Sequence, residues 1–399
     1  MDQQGGRDEA ARNWSFNRLG PFHALQQRLG LITSTGLHAG RRALLFAAVA
    51  YVPLLLLALL QGYALGEHHQ RALLFDFGAY ATVVAIAAFV MMEQSSDWRM
   101  QVMVKKLVTQ DLLTDADHPR IHQARLVMER RTGAWWVEAA LLIAAYVLAY
   151  RWQFGVVQGI DGGTWVGRVV DGDFQLTLAG MWSLAVLTPL FLFLLGRWIW
   201  RFFTWGLLLR DIARCELRLV ATHADRCGGL AFIGQYPKTY TLFMFALSTI
   251  VSASVAKQVV YGGANLSSFK FAALGMIVFL VVCFVLPLFA FTPRLTRLKF
   301  DGLTLYSGLI SRHNLAFEAK WLTGAKRAPA AETVGSPDMS SLADLSMSYD
   351  LVRRILPVPI VKEGVVPLVG AAVLPMLAVV AMQVPIPQLV ASLKALLPI

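Results

Sequence analysis

Apolar residues fall into seven long runs, about 42–64, 73–92, 134–152, 176–196, 240–261, 271–292 and 365–384, separated by polar and basic stretches. Each run is long enough to cross roughly 30 Å of hydrocarbon as a helix. The pattern predicts an all-α, polytopic membrane protein with helical extensions outside the bilayer. It has about seven spans, or six if the last run, interrupted by Pro367, Gly370 and Pro375, is re-entrant. In order, the chain divides into an arm (1–41), a membrane hairpin (42–92) and a polar helical segment (93–133). A second hairpin (134–196), a polar helix and turn (197–239) and a third hairpin (240–292) follow. Polar helices with an Ala/Pro-rich linker at 323–334 fill 293–364, and a last span with an apolar tail ends the chain (365–399).

Composition supports the same class. The 399 residues are 56% hydrophobic and only 15% charged, against about 25% charged in soluble domains. Of the 36 Lys and Arg residues, 30 fall in the arm and the even-numbered connections, on the side of the N-terminus. That asymmetry predicts a cytoplasmic N-terminus by the positive-inside rule, in a bacterial inner membrane. It assigns the net charge of +11 to topology and to attraction by the anionic inner leaflet of the bilayer, not to nucleic acid. The three cysteines imply no disulfide framework, and no cleavable signal peptide precedes the first span.

Several local patterns carry candidate chemistry. Trp14 to Ile32 fits an amphipathic helix lying on the inner leaflet, or a loosely packed arm. Glu67, His68 and His69 form a polar turn without metal-ligand spacing. Asp115, Asp117, His118 and His122 read as a helix cap that contains histidine rather than a metal site. No metal and no cofactor is therefore expected. Asp76 and Glu138 stand out as acids inside spans, each about one turn deep. Such groups mark functional sites by default, with interfacial anchoring as the alternative.

After the fourth span an aromatic and basic collar, Arg197–Trp205, leads into a predicted helix over Leu207–Ala221. On it Arg210, Arg214 and Arg218 form one stripe, and Leu208, Ile212, Cys215 and Leu219 form an apolar one facing the helices of 93–133. Thr222 and Asp225 resemble a helix-capping pair. In the turn beyond, His223, Asp225, Arg226, Gly228 and Gly229 are a candidate anion or nucleotide site, with a structural turn preferred. In the fifth span Ser248, Ser252 and Ala256 make a small-residue ridge, with Lys257 beside it, suited to helix packing or to lining a wet path. Leu342, Leu345, Tyr349, Val352 and Leu356 form a seam on a helix opened by Ser336-Pro337. It packs in-chain or between subunits.

Three segments, Arg210–Leu230, Phe291-Thr-Pro-Arg-Leu295 and Ser336–Leu345 with Val352-Arg-Arg354, resemble a group of uncharacterised bacterial multi-span membrane proteins. In that group a Thr-His-Pro-Asp-Arg-x-Gly-Gly-Leu stretch follows a membrane helix; here Ala224 stands where the proline is expected. The resemblance covers roughly residues 200–399 and implies topology and source, with no catalytic or binding residue. Among function classes, an enzyme and an ion-coupled transporter are disfavoured, because the spans offer no convergent nucleophile or facing acid pair and the chain shows no internal repeat. A passive, homo-oligomeric channel-like conduit is preferred, with a membrane-anchored scaffold or sensor as the alternative.

Overall fold

A computed structural model describes residues 19–32, 37–65, 72–110, 112–156, 164–170, 173–321 and 337–383. Among them, seven helices are long and apolar enough to cross a membrane, and the all-α polytopic class holds. The helices are α1 (Pro21–Arg28), α2 (Ala39–Leu60), α3 (Phe77–Thr109), α4 (His118–Thr132) and α5 (Trp135–Val156). Then come α6 (Leu178–Ala213), α7 (Thr241–Tyr261), α8 (Lys270–Val285), α9 (Thr292–Trp321), α10 (Pro337–Arg353) and α11 (Lys362–Ala381). A two-stranded antiparallel hairpin, β1 (Gly167–Val170) with β2 (Asp173–Leu176), sits between α5 and α6. It pairs Gly167 with Leu176 and Val170 with Asp173.

The bundle is centred on α3 and α7, which pack on each other along their length. On one side α11 covers α7; on the other α2 and α6 flank α3, and α5 packs against α6. Inside lie Leu54, Phe89, Met92, Leu208 and Phe291, all essentially inaccessible. The large apolar side chains that α2, α5 and α8 leave exposed are Leu, Val, Ile, Phe, Trp and Tyr, as lipid-facing surfaces require, with Arg41, Arg151 and Lys270 exposed near the helix ends. α6 is not uniform: Ser183–Leu187 forms a π turn immediately before Pro189. The missing Pro189 N–H and the ring's clash with the preceding turn account for a local irregularity there.

The last apolar run is a continuous helix despite Pro367 and Pro375, so the re-entrant alternative gives way to a seventh helix of spanning length. Its start is held by a close crossing. A Cβ on Gly234 would lie 2.0 Å from Pro359 O, and one on Gly364 would lie 2.2 Å from Gly234 O. Only residues without a side chain let these backbones touch.

Other expectations shift. Of the described residues 19–32 of the arm, only Pro21–Arg28 are helical: α1 turns Phe22 onto Phe46 and Phe193 and leaves Leu25 and Leu29 exposed. Trp14, the Glu67-His68-His69 turn, the 323–334 linker and the tail from 385 lie outside the described residues. The helix predicted over Leu207–Ala221 ends at Ala213. Arg294 donates from Nε to Ala213 O (3.2 Å) and from Nη2 to Arg214 O (3.0 Å), satisfying carbonyls left open at the helix end. The chain then runs extended, pairing Leu217 with Leu113 and donating Arg218 N–H to Leu112 O. Arg218 therefore does not join a helical stripe with Arg210 and Arg214. Leu208, Ile212 and Cys215 are nevertheless buried, in the same core as Leu112 and Leu113 of the polar segment.

Candidate functional site

Helices that alternate direction bring the starts of spans one and three to the same level as the ends of spans two and four. Each of these four ends carries an ionisable residue: Arg42, Glu138, Glu93, and Arg197 with Arg201. The structure joins them into one buried network. Glu93, 4% exposed, binds all three arginines: Arg42 Nη2 at 2.5 Å, Arg197 Nη1 at 3.3 Å and Arg201 Nη1 at 3.1 Å. Arg197 Nε also reaches Glu138 Oε1 at 3.1 Å. Glu138 accepts from Phe22 N–H (2.7 Å), and Arg42 donates from Nε to Gln26 Oε1 (2.6 Å) and from Nη1 to Leu37 O (3.3 Å). The arm helix is thus tied to the bundle through the same charges.

Aromatic rings close the network. The Arg197 guanidinium lies 4.6 Å from the centre of the Phe22 ring, and that of Arg201 lies 5.0 Å from the Trp198 ring. Trp198 Nε1 donates to Phe89 O (3.0 Å), fixing α6 on α3. Formally the three guanidiniums face two carboxylates. One guanidinium nitrogen, Arg201 Nη2, is buried without a hydrogen-bond partner among the described residues. Arg201 borders a cavity of ≈ 10 Å³ with Ser96, Thr132 and Thr204. These hydroxyls donate to Glu93 O, Met128 O and Arg201 O. A space of that size has room for a single water.

The network corrects the reading of the acids in spans. Glu138 is not an interfacial anchor but a buried partner of Arg197. Asp76 is the N-cap of α3: its Oδ1 accepts from Gly78 N–H and Ala79 N–H, and its Oδ2 from Trp165 Nε1 (2.6 Å). Glu93, one residue past the predicted second span, is the acid that sequence reasoning missed, together with Arg42, Arg197 and Arg201. The available signal was positional: at least one ionisable residue on the same side of each of four consecutive spans.

The polar turn after α6 is built around Asp225. Its carboxylate accepts from the N–H groups of Cys227 (2.8 Å), Gly229 (3.1 Å) and Ala231 (3.0 Å), and His223 Nδ1 lies 2.8 Å away. Burial raises the Asp225 carboxyl, but the three N–H bonds and His223 outweigh it and hold the carboxyl below its ordinary value. The N–H groups that would bind an added anion are thus occupied by the chain's own carboxylate. Arg226 and Gly228 both have positive φ, 58° and 64°. Arg226 is exposed, and a Cβ on Gly228 would lie 2.7 Å from Leu298 Cδ2. Thr222 caps no helix, because the residues after it form a turn and not the first turn of a helix. Cys227 is fully buried; burial, with Asp225 nearby, pushes its thiol up to about 12, so it is no nucleophile at neutral pH.

This turn joins segments far apart in the chain. Arg226 O accepts from Leu356 N–H (2.9 Å) beyond α10, and Gly228 packs on Leu295 and Leu298 of α9. Gly302 of α9 receives Val352 of α10, with Lys299 Nζ bound to Ile355 O (3.0 Å). The seam Leu342, Leu345, Tyr349 and Val352 is therefore used in-chain, against α9, while Leu356 is exposed and Ile355 takes the buried place.

Ser248 and Ser252 of α7 are both buried; Ser248 Oγ donates to Ala372 O of α11, whereas Ser252 Oγ has no hydrogen-bond partner among the described residues. Ala256 is buried in a smaller cluster with Val255, Val259 and Val379; Lys257 is exposed. Asp117 is buried, accepting from Thr114 Oγ1 (2.6 Å) and Glu216 N–H (3.0 Å), whereas His122 is exposed. Among the described residues no three His, Cys, Asp or Glu residues converge as a metal site.

No protein-family model, curated protein or solved structure matches the chain.

Proposed function

We propose that this chain is a membrane-anchored, self-assembling scaffold of a bacterial inner membrane, with the N-terminus and the α9–α10 hairpin in the cytoplasm. The bias of Lys and Arg toward one side and the likeness to uncharacterised bacterial multi-span proteins support that orientation and source. One observation carries the reading. At 30 residues α9 is about 45 Å long, starts at the basic anchor Arg294–Lys299, and leaves large apolar side chains uncovered. Phe300 is 64% exposed, Leu305 70% and Leu315 67%. Outside a bilayer such a surface favours association. The buried charge network is then the brace that holds the anchor and its arm in one arrangement. Span five supports the same reading through Ser248, whose hydroxyl is bound to Ala372 O of α11.

Native mass spectrometry in mild detergent tests this. Wild type is expected as a closed assembly of defined number, and Leu305→Arg with Leu315→Arg is expected as a monomer of unchanged helix content. A monomeric wild type, or a variant that assembles equally well, overturns the proposal. Ion flux through proteoliposomes above that of empty vesicles also overturns it, in favour of a conduit shared between copies.

A further inference from the structure

Between the end of α6 and the 3-10 segment Leu286–Phe291 lies an open groove of ≈ 680 Å³, within the range of small-ligand sites. Its walls are apolar and uncovered: Phe203 is 55% exposed, Leu286 62% and Phe289 50%. Gly206 forms the floor, where a Cβ would sit 3.6 Å from Pro287 Cγ. The other end of the groove is cationic, lined by Arg210, Arg214 and Arg294.

The cationic end is assembled by the tertiary fold. Arg294 is fixed by its bonds to Ala213 O and Arg214 O, because α6 stops at Ala213. Arg214 has one acidic neighbour, Asp211, at 4.0 Å, and Arg210 has no ion pair among the described residues. Of the apolar walls, Phe203 belongs to the aromatic collar of α6, where a helix leaves hydrocarbon for the headgroup layer, and Leu286 and Phe289 face it from the 3-10 segment. The groove therefore runs from apolar to cationic in the direction in which a lipid runs from acyl chain to phosphate.

We propose that this groove binds an anionic phospholipid of the leaflet on the Lys/Arg-rich side, with its phosphate at Arg210 and Arg214 and its acyl chain along Phe203, Leu286 and Phe289. A free anion would meet the arginines and leave the walls bare. A neutral lipid would cover the walls and leave the guanidiniums without a counter-charge. An anionic phospholipid satisfies both.

Delipidated full-length protein in detergent, titrated with phosphatidylglycerol, with phosphatidylcholine of the same chains and with inorganic phosphate, tests the proposal by native mass spectrometry. Phosphatidylglycerol is expected to bind in preference. Arg210→Ala with Arg214→Ala should lower its affinity by about five-fold per arginine and reduce the preference over phosphatidylcholine. Gly206→Leu keeps every charge but fills the floor, and should weaken both lipids together. Equal binding of the two lipids, or unchanged binding by the double arginine variant, overturns the proposal. Displacement of phosphatidylglycerol by millimolar inorganic phosphate reassigns the arginines to a free anion and also overturns it. So does an efficient cross-link from Phe203→Cys to a second copy of the chain, which would make the groove a protein interface.

Discussion

Glu93 holds three guanidiniums that come from two other helices. Glu138 reaches only Arg197. Removing one member of a buried ionic group costs about 3–5 kcal/mol, because the partners are left charged and desolvated. Glu93→Gln keeps the size of the side chain and removes the charge. It should lower the stability of the detergent-solubilised protein by that order, measured as the free energy of unfolding in denaturant. A change below about 0.5 kcal/mol, as for a surface substitution, would mean that the arginines find other anions or water. The residue types were legible in the sequence, since Arg42, Glu93, Arg197 and Arg201 all stand near span ends. Their meeting was not, because partner choice between helices leaves no trace in spacing along one helix.

At the scale of one element, the turn around Asp225 is stabilised from within. Its carboxyl lies below its ordinary value of 3.8, so the folded chain binds that proton more weakly than the unfolded chain. The contribution is complete above that value and is lost as pH falls through the folded-state value beneath it. Asp225→Asn should cost about 1–3 kcal/mol at neutral pH. The gap to wild type should narrow once the pH drops below about 4, read from paired unfolding curves at pH 7 and pH 3. A gap that stays constant with pH would show that the amide's altered hydrogen bonding, not the lost charge, causes the defect. The sequence announced a turn through Gly228-Gly229. It did not announce that α6 ends nine residues before Thr222, because that end is set by Arg294, 80 residues away from Arg214.

For the whole molecule, α11 is joined to the bundle through the backbone crossing at Gly234 and Gly364 and through the small-residue face of α7. Gly364→Val would drive a side chain into Gly234 O. The last helix should then separate from α7, with new protease cleavage in 354–364 while the α2–α6 part stays intact. Unchanged cleavage would show that the crossing can shift to make room.

The sequence by itself determined the class, the approximate spans and the side on which basic residues gather. These depend on local quantities, apolar length and charge count, that hydrocarbon thickness and surface potential read directly. Tertiary structure alone decided which charges are buried together, where α6 ends and which face of α7 is covered. It also decided that Arg294 rather than Arg218 lines the groove beside Arg210. Those outcomes depend on how helices rotate and cross, and in a bilayer that is governed by close packing and by pairing of buried polar groups, to which a one-dimensional pattern of apolar residues is blind.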